Sequence, residues 1–141
     1  MKNSTMNLMI AAAALVVAAG SASAQTFKAE IPMFFRVGET FLEPGPYQIK
    51  VATGTSTQVS VLNLDTHRSV LLIPGSKTDA PKGWRKEGRP KIGFECSGST
   101  CTLNRLWDGQ NSLAYAFQVR KLPTVEARKV DVVTLGMTKV H

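Results

Sequence analysis

The chain reads as all-β. It predicts a single antiparallel β-sandwich or a small β-barrel of about seven to eight strands, following a cleavable export segment. Three observations predict this. Apolar and polar residues alternate along most of the chain after residue 28, the period of a strand with one buried face. Gly and Pro clusters interrupt the alternation at short intervals, as turn chemistry does. The length of 141 residues, with 11 Gly and 7 Pro, suits one modest hydrophobic core and no multidomain machine.

The first 24 residues carry the three parts of a secretory signal in order. Met1 to Asn7 is polar with one charge, Lys2; Leu8 to Ala19 is apolar; Gly20-Ser21 breaks the run, and Ala22-Ser23-Ala24 offers a small-x-small cleavage site before Gln25. The apolar run falls short of the roughly 20 residues that a membrane anchor needs. No Cys follows the cleavage site, so no lipid anchor is expected. Residues 25–141 then form one all-β domain, placed in the periplasm or outside the cell. Of 17 Lys and Arg only Lys2 lies in the export segment, against 10 Asp and Glu, so the remainder stays basic.

The strands follow in order. Over residues 29–37, Ala29, Ile31, Met33, Phe35 and Val37 share one face, while Glu30, Pro32 and Arg36 share the other and Phe34 breaks the pattern. Pro32 lacks an amide donor and marks an edge. Gly38-Glu39-Thr40 and Pro44-Gly45 read as turns. Tyr47, Ile49 and Val51 define a second strand. Residues 58–64 and 68–73 make the third and fourth, joined at Asp65-Thr66-His67. Residues 74–90 show no periodicity and read as a long connection. Ile92, Phe94 and Cys96 define the fifth strand, residues 101–107 the sixth, and Leu113, Tyr115, Phe117 and Val119 the seventh. Residues 130–135 are β-branched enough for an eighth, and residues 124–129 suit a short helix. Pairing order is not written locally, so sandwich and barrel both stand.

Ile31-Pro32-Met33-Phe34-Phe35-Arg36-Val37-Gly38, then Thr40, Leu42, Pro44-Gly45 and Tyr47, resembles a pattern in small exported β-rich proteins common in acidobacterial genomes. There a V-P-F-x-F-x-V-G strand leads into an L-P-x-G-x-Y turn. Leu106-Trp107 and Leu122-Pro123 look like later parts of the same pattern. The sequence departs from it in the Glu43-Pro44-Gly45-Pro46 turn, in a longer basic connection and in the added Cys96 and Cys101. The group has no assigned activity. The resemblance implies an exported all-β protein and brings no catalytic residue.

The cysteines are spaced Cys-x4-Cys, which suits a disulfide across a hairpin in an oxidising compartment. Two Cys and two His, one of them the terminal His141, are too few for a structural metal site, and no cofactor motif occurs. No Gly-x-Ser-x-Gly elbow and no phosphate-cradling loop is present. His67 is the only internal His; an enzymatic reading, as a hydrolase, would require it to converge with an acid and a hydroxyl. The acids are scattered along the chain. A non-catalytic protein is expected.

The most unusual segment spans residues 77–91. Lys77, Lys82, Arg85, Lys86, Arg89 and Lys91 stand against Asp79 and Glu87, with Trp84 among them. One reading is an anion-binding loop, with Lys82, Arg85, Lys86 and Arg89 meeting phosphate or carboxylate groups and Trp84 stacking on a ring. The other is a solvated connection whose Trp84 folds back onto the core. Arg105 is placed by simple alternation on the apolar face of Ile92, Phe94 and Cys96, either as an anion contact at a barrel mouth or as a side chain snorkelling to water. The expected role is binding or structural work in the cell envelope or the extracellular space, with anionic envelope polymers or lipid headgroups as the expected contacts of the basic loop. Export removes nucleic acid as the natural target, and no transmembrane anchor is expected. A small-ligand carrier, with a cavity inside a β-barrel, is the alternative from a different class.

Overall fold

A computed structural model describes residues 23–118 and 130–140. Their chain order is β1 (Ser23–Ile31), β2 (Phe35–Val37), β3 (Thr40–Leu42), β4 (Gly45–Thr53), β5 (Gln58–Asn63), β6 (Ser69–Leu72), β7 (Ser76–Asp79), α1 (Lys82–Glu87), β8 (Lys91–Ser97), β9 (Thr100–Trp107), β10 (Leu113–Ala116), β11 (Val130–Gly136) and β12 (Thr138–Val140). The first sheet runs β12-β1-β4-β5-β6; the second runs β11-β8-β9-β10-β7, with β2 joining β9 and β3 joining β2. Both sheets keep free edges. The fold is a sandwich and not a closed barrel.

The described residues hold twelve strands, more than the seven or eight expected. The reasons are local. The expected strand over residues 29–37 is two strands in different sheets. Its faces are right: Ala29, Ile31, Phe35 and Val37 are buried and Met33 is half-buried. The chain leaves the first sheet after Ile31 and enters the second at Phe35, because Pro32 cannot donate to a ladder. The remaining additions, β3, β7 and β12, have three or four residues each, too few to display a period. The expected helix over 124–129, Val119 and Leu122-Pro123 lie outside the described residues.

Most of the expected export segment also lies outside them, but Ser23 and Ala24 open β1, where they pair with Thr53 and Ala52. The pairs from Gln25↔Val51 to Ile31↔Gly45 form the rest of that ladder, so a chain beginning at Gln25 keeps it.

One aromatic column ties the sheets together. Phe35, from the second sheet, meets Tyr47 of the first edge-on at 5.0 Å and Phe94 of its own sheet edge-on at 5.4 Å. Phe27, Ile31, Ile49, Val59, Val61, Ile92, Leu103 and Leu106 fill the space around it. The Tyr47 hydroxyl donates to the Glu43 carbonyl, a corner that locks the turn into β4. Asn63, also buried, accepts at Oδ1 from the amides of Asp65 (2.8 Å) and Thr66 (2.9 Å). The β5–β6 hairpin therefore closes around Asn63, with His67 in a left-handed turn position at φ 62°.

Cys96 and Cys101 form a disulfide between directly paired residues of β8 and β9. The ring it closes is short, so loop entropy contributes about 2 kcal/mol.

Burial pushes the Tyr47 hydroxyl above its ordinary value of 10.0; the Asn63 hydrogen bond opposes this, the Glu43 charge reinforces it, and Arg68 opposes it. The folded state then holds its proton more tightly than the unfolded chain does. The associated stability is fully present below pH 10 and is lost as pH rises toward the raised value. Denaturant unfolding at pH 8 and pH 11 checks this. The native chain loses stability between the two, and Tyr47→Phe, less stable by about 1 kcal/mol at pH 8, loses less.

Candidate functional site

The site begins with an irregularity in β9. Gly93 of β8 pairs with Arg105, while the next residue, Phe94, pairs with Leu103. Asn104 is therefore an extra residue, a β-bulge. Its carbonyl accepts the Phe117 amide at 2.8 Å. Beyond the bulge the alternation of β9 shifts by one. Leu106 turns into the core opposite Ile92, and Arg105 and Trp107 turn outward, level with Gly93 and Lys91. This corrects the sequence expectation for Arg105. It does not share the face of Ile92 and Phe94, and there is no barrel mouth for it to line. It lies half-buried on the outer face of the second sheet.

That outward turn creates a second, smaller apolar cluster. Trp107 meets Trp84 at 6.5 Å between ring centroids, with Ala80 and Ala114 beside them. The Trp107 indole N–H donates to the Asn111 carbonyl at 2.7 Å. Trp84 lies over bare backbone. A Cβ on Gly93 would stand 3.1 Å from Trp84 Cη2 and 3.4 Å from Cζ2. A glycine in the middle of an apolar strand is the sequence signal for such close approach.

The stretch expected as a featureless connection thus holds β7 and α1. α1 has only six residues, too few to persist alone in water. The amides of Trp84 (3.0 Å) and Arg85 (3.1 Å) donate to the Pro81 carbonyl, and the Gly88 amide donates to the Trp84 carbonyl at 3.0 Å. Gly88 ends the helix in the left-handed region, φ 66°. Arg85 and Lys86 in the last turn complement the helix dipole. Trp84 supplies the anchor.

At 100° per residue, Trp84 pointing at the sheet turns Lys82 and Lys86 to the opposite side and Arg85 to a flank. All three are exposed, as is Arg89 just beyond the helix. None of the four has a carboxylate partner among the described residues. The acid of the helix, Glu87, pairs instead with Lys91. That hydrogen bond and charge hold the Glu87 carboxyl below its ordinary value, with help from Arg89. Trp84 is 8% exposed, so it presents no ring face for a ligand. Of the two roles foreseen for it, the structure gives it the packing role. The structure leaves the four cations exposed on α1 and just past its cap and places Arg105 in the sheet beneath, next to Gly93.

The other candidates lie elsewhere. The ring of His67 is exposed on its hairpin. A pocket of about 390 Å³ opens between β1 and the β11–β12 corner, bordered by Lys28, Glu30, Tyr47, Leu135 and Thr138. It is a surface notch outside the core. The carrier reading required a closed barrel, and the sandwich removes that premise.

No family model, curated protein or solved structure matches the chain.

Two outcomes are expected. Gly93→Val overpacks the Trp84 seat, lowers stability by about 1–3 kcal/mol and shifts tryptophan emission to the red as the indole is displaced; unchanged emission and stability would show that the contact is slack. Reversing Lys82, Arg85, Lys86 and Arg89 together to Glu leaves the thermal midpoint within a few degrees, because exposed charges contribute little to the core. A collapse of the midpoint would make these residues structural.

Proposed function

We propose that this chain is an exported, non-catalytic β-sandwich that binds anionic polymers of the cell envelope through the cationic side of α1. The observation that carries this reading is the geometry of Lys82, Arg85, Lys86 and Arg89. Lys82, Arg85 and Lys86 are exposed on a helix pinned by Trp84, with Arg89 exposed just past its Gly88 cap, while the one acid of that helix is paired with Lys91. Four exposed basic side chains with no carboxylate in salt-bridge contact among the described residues form a steering field for polyanions, and arginines among them suit planar carboxylate groups. Export is supported by the signal-like pattern of residues 1–24, by the likeness to exported acidobacterial proteins and by the Cys96–Cys101 disulfide, at home in an oxidising compartment. No helix among the described residues is long and apolar enough to cross a membrane.

Calorimetric titration of the chain from Gln25 to His141 with polygalacturonate, across a salt series, tests the reading. Saturable binding is expected, weakening in proportion to log salt with a slope of about three to four released ions. The fourfold charge reversal abolishes it. Absence of binding at low salt, or binding confined to anionic vesicles, would overturn the polymer assignment.

A further inference from the structure

The outer face of the second sheet continues past α1, and what it displays there is not random. Neighbouring strands place Val132, Glu95, Thr102, Arg36 and Phe41 in one lateral row across β11, β8, β9, β2 and β3. Arg36 points outward because Phe35 and Val37, on either side of it, point into the core. It lies beside Thr102, which is only 4% exposed. Its guanidinium sits 6.0 Å from the Phe41 ring centroid, and its Nε has no hydrogen-bond partner. Phe41 is 57% exposed. Arg105 lies between this row and α1 on the same face. The intervening acid, Glu95, is engaged by the Asn104 side-chain amide at 3.4 Å.

We propose, building on the polyanion reading above, that the binding surface extends from α1 over Arg105 to Arg36 and Phe41, and that its ligand is an extended acidic polysaccharide. Two features select that class. The first is span. From Trp107, under α1, to Thr102, beside Arg36, is five residues of β9, roughly 16 Å at strand rise. A lone phosphate or a single sugar cannot bridge it, but a linear polymer can. The second is the pairing of an exposed aromatic ring with a cation. A uronate ring has an apolar C–H face to lie on Phe41 and a carboxylate at its edge to meet Arg36. A polyphosphate has no such apolar face.

Di- and octagalacturonate, with polyphosphate of matched charge, separate the possibilities. The octamer is expected to bind at least about tenfold more tightly than the dimer. Arg36→Gln, which keeps most of the aliphatic stem over Thr102, lowers octamer affinity by about tenfold and leaves the dimer unchanged. Phe41→Ala weakens the octamer and leaves polyphosphate unchanged. Near-UV circular dichroism of each variant confirms that the fold is retained. If the octamer binds but Arg36→Gln has no effect, or if dimer and octamer bind equally, the extension is wrong and the helix site survives. If polyphosphate matches the octamer and neither responds to Phe41→Ala, the polysaccharide assignment fails. If nothing binds, the helix site fails too.

Discussion

A single extra residue organises this surface. Without the bulge at Asn104, strict alternation would put Trp107 into the core and Leu106 outside. With it, Leu106 completes the main core opposite Ile92, and Trp107 stands on the outer face. Everything in the candidate site follows from that displacement. Trp84 has a partner only because Trp107 is outside. A six-residue helix persists only because Trp84 is seated. Lys82 and Lys86 face away from the sheet only because the helix has a fixed orientation on it. Bulges re-aim side chains at the cost of one ladder position, and here the Asn104 carbonyl and side-chain amide both find partners, Phe117 and Glu95.

The sheets themselves are held by a different device. Phe35 leaves the first sheet's neighbourhood at Pro32 and packs between Tyr47 and Phe94, so a strand of three residues joins both layers. The same excursion carries Arg36 and Phe41 to the outer face. The β2–β3 hairpin is therefore a core element on one side and a display element on the other, a division that the period of two imposes on any strand. Tyr47 extends this economy to the turns, since its ring fills the core and its hydroxyl ties down the Glu43 carbonyl.

Much of this was legible in the residues. Fold class, the buried faces of β1, β2 and β4, and the disulfide register follow from alternation and spacing alone, because each depends on neighbours in sequence. What was not legible depends on pairing. Counting by twos puts Arg105 on the wrong face because it cannot see a bulge, whose only trace is the pairing of Gly93 and Phe94 with non-adjacent partners. α1 is invisible in the sequence because one amphipathic turn and a half, with a single apolar contact, has no periodicity to detect. Gly93 carried a signal, a glycine amid Ile92 and Phe94, but its meaning needed Trp84 from elsewhere in the chain. Arg36 was correctly placed opposite Phe35, yet nothing local linked it to residues 77–91.

The way the helix is attached also separates two kinds of energy. Its anchor is apolar: Trp84 and Trp107 with Ala80 and Ala114 beneath it. Its outward side is purely electrostatic. Salt screens exposed charges over about 8–10 Å at ordinary ionic strength and leaves apolar contacts intact. The cationic side therefore keeps its shape when salt screens its charges. A helix held by ion pairs to the sheet would loosen under the same conditions that release a polyanion, and binding would then be coupled to local unfolding. Here the one ion pair at the helix among the described residues, Glu87 with Lys91, lies between the helix and the start of β8, and it engages the one acid that the helix carries. A rigid apolar base under a cationic side keeps the position of the charges independent of the charges themselves, so that in the proposed reading salt acts on the attraction and not on the fold.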